Sequence, residues 1–374
     1  MNNQAVIVIS GYNIRAVIAF CRWATAHDVN YHVVARSKED PVFLTDYKGQ
    51  VAFTRNSPSL RPEQFRSWCD SLNSQYGYQR FIILPSTEYL NRFLLKHRNS
   101  IEGKDCIIPL VDERLYRIIS DKQSFAKLCE SYGLDIPEEF NGIPEKLPFV
   151  AKPRTYFSAQ GKQLVPQLII NQHDLDKFCD ENKDDYFFQN FINGRSLYLL
   201  AYIGQNENIL YSQENLIQQA RGGSVILAKT SNFHHSDIAK KYVRMLREQK
   251  YLGLIMVEVR LDESNGKYYM IEANPRLWGP LQFAIDNNID LFGAMLKDYE
   301  FDIPKDTYSH SPHPSTHYFW SGGLTQQSQP FAYHSYSSDE LVKDFPNIRH
   351  QDIFLRTDTL NLFFKESQIE GNDE

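Results

Sequence analysis

Residues 255–280 read IMVEVRLDESNGKYYMIEANPRLWGP. Two apolar runs, Ile255–Val259 and Tyr268–Ile271, flank the polar stretch Asp262–Gly266, the signature of a β-hairpin with a loop longer than the tightest kind. Glu258 lies inside the first strand. Glu272 and Asn274 end the second, and Pro275 and Arg276 follow. Side chains alternate faces along a strand, so Glu272 and Asn274 share one, and pairing across the turn can set Glu258 beside them. Three oxygen-bearing side chains then converge at one end of a sheet. Carboxylate and amide oxygens suit Mg²⁺, which takes a few protein oxygens and completes its shell with phosphates and water. Arg276, two residues past Asn274, can reach an anion at the same place. Taken singly, Glu258 reads as a solvent-facing or ion-paired acid and Asn-Pro as a turn. The combination is what is specific.

An acid in an apolar strand, a hairpin turn, then a strand ending in Glu-x-Asn-Pro-Arg resembles the metal-binding hairpin of the ATP-grasp superfamily. That superfamily holds carboxylate–amine and carboxylate–thiol ligases and their carboxylase relatives. The extended form ANPRLWGPLQFAIDNNIDL, residues 273–291, is most similar to ligases related to the large chain of carbamoyl-phosphate synthase. The resemblance covers roughly residues 1–300. It implies an α+β ATP-grasp fold, preceded by a small doubly wound α/β domain. Residues 1–115 would form that first domain and 116–305 the ATP-grasp domain, with a lid at about 148–190. Residues 306–374 would be an extension completing or capping it. The implied ligands are ATP and Mg²⁺, or Mn²⁺, with Glu258, Glu272 and Asn274 on the metal and Arg276 in a catalytic role.

Composition agrees with a globular enzyme. The 374 residues suffice for two or three domains, and 42% hydrophobic with 23% charged residues is ordinary for a soluble chain. A net charge of −6 argues against nucleic acid as a partner. No apolar stretch reaches membrane-spanning length. The start, MNNQAVIVISGYN, lacks the basic region of a secretion signal. Cys21, Cys69, Cys106, Cys129 and Cys179 are scattered without a CxxC pair, which reads as reduced thiols and a cytoplasmic setting.

Residues 5–9, AVIVI, are fit for a buried parallel strand, and Asn13–Ala26 and Tyr31–Ala35 continue a βαβ start. A nicotinamide site is disfavoured, because SGYNIR has one glycine where the fingerprint wants three. Phe81–Leu84 is another buried strand, and the residues after it, Ser86, Thr87 and Glu88, are substrate-site candidates. Ser86 also reads as a helix N-cap. Residues 116–137 read as one helix ending at Gly133. By resemblance Lys122 binds phosphate oxygens; by itself it reads as a surface lysine. Lys152 sits in the strand FVAKP, where burial is costly without an anion, and the resemblance puts it on the nucleotide phosphates. Ser158 and Gly161, with Lys162, resemble the loop that closes over the phosphates, though an ordinary hairpin turn fits too.

The resemblance further places Gln189 and Ile192 at the adenine hinge and Ser196 where relatives carry a ribose-binding acid. Asn193-Gly194 by itself reads as a hairpin turn. Arg221, Gly222 and Gly223 fall where relatives meet the acceptor and phosphates; Arg221 alone reads as a surface residue. The four histidines His310, His313, His317 and His334 fit no zinc spacing. Residues 338–366 read as a helical segment and a further strand. The activity implied is amide formation between a small-molecule carboxylate and an amine, an amino acid being the expected partner, through an acyl phosphate, by a monomer or homodimer. Carboxylation, thioester formation and a non-catalytic nucleotide-binding module are the alternatives.

Overall fold

The run AVIVI becomes the central strand of a parallel sheet. A computed structural model describes residues 3–57, 59–155, 158, 160–162, 164–179, 183–305, 316–325 and 331–368. Strands β1 (Gln4–Ile9), β2 (Tyr31–Ala35), β3 (Val51–Thr54), β4 (Arg80–Pro85) and β5 (Cys106–Ile107) form a five-stranded sheet in the order β3-β2-β1-β4-β5. Every residue of β1 is buried, as expected for a strand covered on both faces. The helix Ile14–Ala26 covers one face with Val17, Phe20 and Trp23.

Strands β6 (Glu139–Phe140), β7 (Phe149–Pro153), β8 (Gln167–Ile169) and β9 (Tyr186–Asn190) form a small antiparallel sheet in the order β6-β9-β7-β8. It has its own core of Phe149, Phe178, Tyr186 and Phe188. The large sheet holds β10 (Arg195–Ile203), β11 (Asn208–Gln218), β12 (Val225–Thr230), β13 (Gly253–Asp262), β14 (Lys267–Asn274), β15 (His317–Phe319) and β16 (Ala332–Tyr333). Its path is β14-β13-β10-β11-β12-β15, with β16 paired to β11. Alternation decides its two faces. Leu197, Leu199, Ile255 and Val257 pack under the helix Asp237–Glu248, while Leu200, Tyr202, Leu254 and Met256 join the core shared with the first sheet's helix.

Three expectations need correcting. The single helix at 116–137 is two, Glu113–Ser120 and Lys122–Ser131. Asp121 breaks it by taking an extended conformation and accepting from the Ser124 amide at 2.8 Å, an N-cap that starts the second helix at Lys122. Asn193-Gly194 closes no hairpin, because β9 and β10 belong to different sheets. It is the crossing between them, and a Cβ at Gly194 would overlap the Leu261 carbonyl. No described residue of 338–366 forms a strand; the segment is the helix Ser338–Ile348, two 3-10 turns and the helix Leu360–Ser367. Its Asp358 instead pairs with Arg22 at 2.7 Å and accepts from the Tyr47 hydroxyl at 2.7 Å, tying this end of the chain to the first domain.

Candidate active site

The hairpin forms as its sequence dictates. β13 and β14 pair antiparallel with Glu258 opposite Glu272 and Met256 opposite Asn274. Between Glu258 and Val259 the register shifts, because Ile271 is an extra residue on β14. Such a bulge leaves one residue outside the ladder. Its carbonyl is then free to accept from another element, and the Lys152 ammonium donates to it at 3.3 Å. Lys152 comes from β7 in the small sheet. Lys122, at the start of the helix that Asp121 caps, reaches the same strand and lies 3.0 Å from a Glu272 oxygen. Two basic side chains, from separate elements, therefore meet at one end of the hairpin.

Glu258 and Glu272 face each other directly, an arrangement that is unfavourable without compensating charge. Arg260 supplies some of it, with its Nη2 3.2 Å from Glu258 Oε1. Asn274 donates to Glu272 Oε1 at 2.8 Å, and Arg276 donates to Asn274 Oδ1 at 3.3 Å and to the Leu277 carbonyl at 3.1 Å. Arg276 forms no ion pair with a carboxylate among the described residues. Burial would raise the Glu272 carboxyl, but Lys122, Asn274 and Arg276 outweigh it and hold it at about 2. Glu258 goes the other way: burial pushes it above the ordinary range despite Arg260. Burial, and then the Lys122 charge, bring the Lys152 amine from 10.5 down to about 7. Burial also opposes charge on Lys122, but Glu272 keeps its ammonium above the usual range.

A hollow of 230 Å³ opens over this end, lined among others by Lys122, Arg154, Phe187, Glu272, Asn274 and Arg276. Glu88 stands on its wall at the start of a helix and pairs with Arg92 at 2.7 Å. That helix is capped by Thr87, so the N-cap reading of Ser86 fails, and the Ser86 hydroxyl is buried without a partner. With Lys122, Lys152, Arg260 and Arg276 around two carboxylates, the site is basic within an acidic chain, which suits a polyanionic ligand. No group of three His, Cys, Asp or Glu side chains able to hold a metal gathers among the described residues. The donor set is two carboxylates and an amide, a fit for a hard cation that takes its remaining oxygens from phosphate.

The other candidates distribute unevenly. Gln189 and Ile192 are buried beside the crossing between sheets, and Gln189 Oε1 has no partner. Ser196 is not at the open cleft. It is fully buried, donates to Glu258 Oε1 at 3.4 Å and accepts from Asn215 at 3.0 Å. At the loop after β7, Ser158 binds the amides of Gln160, Gly161 and Lys162, so those donors are spent within the loop itself. Gly222 and Gly223 lie exposed in the connection from β11 to β12; the Arg221 side chain lies outside the described residues. So do His310 and His313.

Sequence reasoning passed over Arg260 and weighed His334 only as a zinc ligand, which it rejected. Arg260 Nη1 lies 2.8 Å from His334 Nδ1, and His334 Nε2 lies 2.7 Å from Gln218 Oε1. Burial, then Arg260, hold His334 neutral at about 3. For Arg260 a signal existed, since two residues past Glu258 means the same face of one strand. For His334 there was none.

No family model matches the chain, and no curated protein matches it. Solved structures do. Biotin carboxylase of Campylobacter jejuni complexed with β,γ-ATP aligns at 13% identity over 79% of this chain and 71% of its own, with a TM-score of 0.56. The N5-carboxyaminoimidazole synthetase of Staphylococcus aureus, complexed with ADP, aligns at 15% identity over 82% and 78%, with a TM-score of 0.55. Rhizobium etli pyruvate carboxylase aligns at 14% identity over 83% of this chain, with a TM-score of 0.56; the chain spans 30% of that protein's length. The fold is the ATP-grasp fold, preceded by a doubly wound α/β domain.

Proposed function

We propose that this chain is an ATP- and Mg²⁺-dependent ligase that joins a small-molecule carboxylate to an amine and releases ADP and phosphate. The observation that carries the reading is the meeting of Lys122, Lys152, Glu258, Glu272, Asn274 and Arg276 at one end of a cleft between two sheets. Glu258, Glu272 and Asn274 would hold Mg²⁺ or Mn²⁺, and the ion's chemistry there is neutralisation of phosphate charge. Lys122 and Lys152 bind the phosphates. Gln189 Oε1, a buried acceptor lacking a donor, suits the amino group of a purine.

The chemistry follows from the carboxylate, which is a poor electrophile because its leaving group would be an oxide. A carboxylate oxygen forms a bond to the γ-phosphorus of ATP while the bond from that phosphorus to ADP breaks. The amine nitrogen then bonds to the acyl carbon, phosphate departs with the C–O bond pair, and the nitrogen loses a proton. Lys122 and Lys152 spread the charge of the transferring group. Arg276, whose hydrogen-bond partners among the described residues are the Asn274 amide and the Leu277 carbonyl, would hold the acyl oxygens. Glu88, in the wall of the same hollow, keeps a carboxylate, shared with Arg92, for the incoming amine. An amino acid as one substrate is the specific choice.

A second reading takes bicarbonate as the acid. The names of the structural neighbours, biotin carboxylase and N5-carboxyaminoimidazole synthetase, favour it. Phosphate release from ATP–Mg²⁺ measured across amino acids, peptides and sugar acids with amines, and across bicarbonate with the same amines, separates the two. Stimulation by an acid–amine pair supports the ligase, and stimulation by bicarbonate alone the carboxylation. A chain that neither binds ATP nor releases phosphate with any pair refutes both.

A further inference from the structure

The carboxyl edge of the five-stranded sheet carries a second concentration of charge. From β1 the chain steps to β2 and β3 on one side, then returns to β4 and β5 on the other. Sheets of this kind bind ligands beyond the carboxyl ends of their strands, near that reversal. Four strand ends deliver polar groups there: Ser10 and Tyr12 after β1, Arg36 after β2, Arg55 after β3, and Ser86 to Tyr89 after β4.

Arg55 is only 8% exposed; its Nη2 donates to the Ser10 carbonyl at 3.0 Å and its Nε is buried with no partner. Burying a guanidinium costs free energy unless charge and hydrogen bonds are returned to it. The acid acting most strongly on it is Asp40, and that carboxylate is already engaged by the amides of Arg36 at 2.7 Å and Val42 at 3.1 Å. Arg36 adds a second positive charge acting on Arg55. The Arg36 guanidinium lies 4.1 Å from the ring centre of Tyr12 and makes no hydrogen bond or ion pair with any described residue. Tyr12 is 88% exposed and Tyr89 58% exposed, both near enough to Arg55 to act on its charge. A structural arginine is normally paired, whereas here two adjoin, with Asp40 engaged by backbone amides and the exposed Glu39 acting on Arg36 without an ion pair. A hollow of 550 Å³ beside Arg55 has Asn56, Arg61 and Gln64 in its wall but neither Arg36 nor Tyr12, so it is separate from their pairing.

This edge is joined to the reaction site. Asn13 donates to the Ser86 carbonyl and to the Leu277 carbonyl, both at 3.3 Å, and Asn91 donates to the Pro275 carbonyl at 3.2 Å. The ends of β1 and β4 are thus bonded to the loop that carries Arg276.

We propose that Arg36 and Arg55, with the face of Tyr12, form a seat for an oxyanion, a carboxylate or a phosphate, carried by one of the two molecules that the enzyme joins. That the anion belongs to a substrate rests on the ligase reading; that the seat binds an oxyanion does not. The substrate would then have an anionic group at one end and its reacting group at the other.

Calorimetric titration with inorganic phosphate and, separately, with succinate tests the seat on the wild type and on Arg36→Gln, Arg55→Gln and Lys152→Met. Arg36→Gln is the decisive variant, since its side chain makes no hydrogen bond that folding needs. The expected result is an anion site separate from the phosphate-binding lysines, weakened about tenfold or more by Arg36→Gln or Arg55→Gln, as suits loss of a charge-assisted hydrogen bond. Lys152→Met should leave it intact. Tighter binding of phosphate or of succinate names the source of the anion. No binding to the wild type overturns the seat, as does binding lost in Lys152→Met and kept in Arg36→Gln. If anion binding behaves as expected but ATP is neither bound nor turned over, the ligase reading falls and the seat stands. If turnover is found and Arg36→Gln leaves the KM of both substrates unchanged, the substrate assignment falls.

Discussion

Binding of ATP above neutral pH should carry a proton onto Lys152. In the nucleotide-free protein, burial and the Lys122 charge bring this amine from 10.5 to about 7. At 1.36 kcal/mol per pH unit, that is on the order of 5 kcal/mol in favour of the neutral form. At pH 8 only roughly a tenth of the folded chains then hold the proton, by the same relation. A triphosphate beside the amine supplies the counter-charge that the site lacks, so the bound state is protonated and uptake approaches about one proton per ATP. Calorimetry at pH 8 in two buffers of different ionisation enthalpy reads this directly. Lys152→Met should abolish the uptake and weaken ATP more than adenosine. A binding heat independent of buffer, or the same uptake in Lys152→Met, would refute the reasoning. The sign for stability follows. Between about 7 and 10.5 the unfolded chain holds this proton and the folded, nucleotide-free chain does not, so this group's contribution to stability rises with pH across that window.

Glu272→Gln should abolish ATP-dependent turnover and also lower the melting temperature, because it removes the carboxylate that counters the Lys122 charge and would hold the metal; near-normal phosphate release would remove Glu272 from the metal site. Arg276→Lys should lower kcat by about 10²-fold, the scale of one lost oxyanion donor, and keep the ATP dissociation constant within a few-fold. A lowered melting temperature with unchanged kcat would make Arg276 a brace instead. Gly194→Ala should cost more than about 2 kcal/mol in chemical denaturation, because its Cβ would overlap the Leu261 carbonyl at the crossing between sheets; an unchanged midpoint would show that the crossing is free to shift. His334→Leu should cost about 1–3 kcal/mol, since it strands Arg260 Nη1 and Gln218 Oε1, and His334→Gln should recover part of the loss.

The hairpin was legible in the sequence because everything it needs is local. Strand alternation sets Glu272 and Asn274 on one face, the polar turn returns the chain, and antiparallel pairing brings Glu258 opposite. The buried strand AVIVI and the helix after it were legible for the same reason. Lys152 stood out as a lysine in an apolar strand, but that the two lysines meet the hairpin came only through resemblance, since no spacing rule relates residues 122 and 152 to 272. The helix break at Asp121 was missed although its signal was local: the helical period continues past it, and periodicity outvoted the cap.

What tertiary structure alone decided is everything that depends on partners far apart in the chain. Ile271 stands outside the ladder because of how two strands slip, and only then does its carbonyl meet Lys152. Ser196, expected at the ribose by resemblance, bonds Glu258 and Asn215 once three strands align. Arg36 and Arg55 adjoin because parallel strands deliver their ends to one edge, and His334 meets Arg260 because a short strand from the last part of the chain pairs with β11. Periodicity in a sequence records which face a side chain takes. Which other face it meets depends on sheet order and register, set by burying the whole core at once, and no short stretch of the chain contains that information.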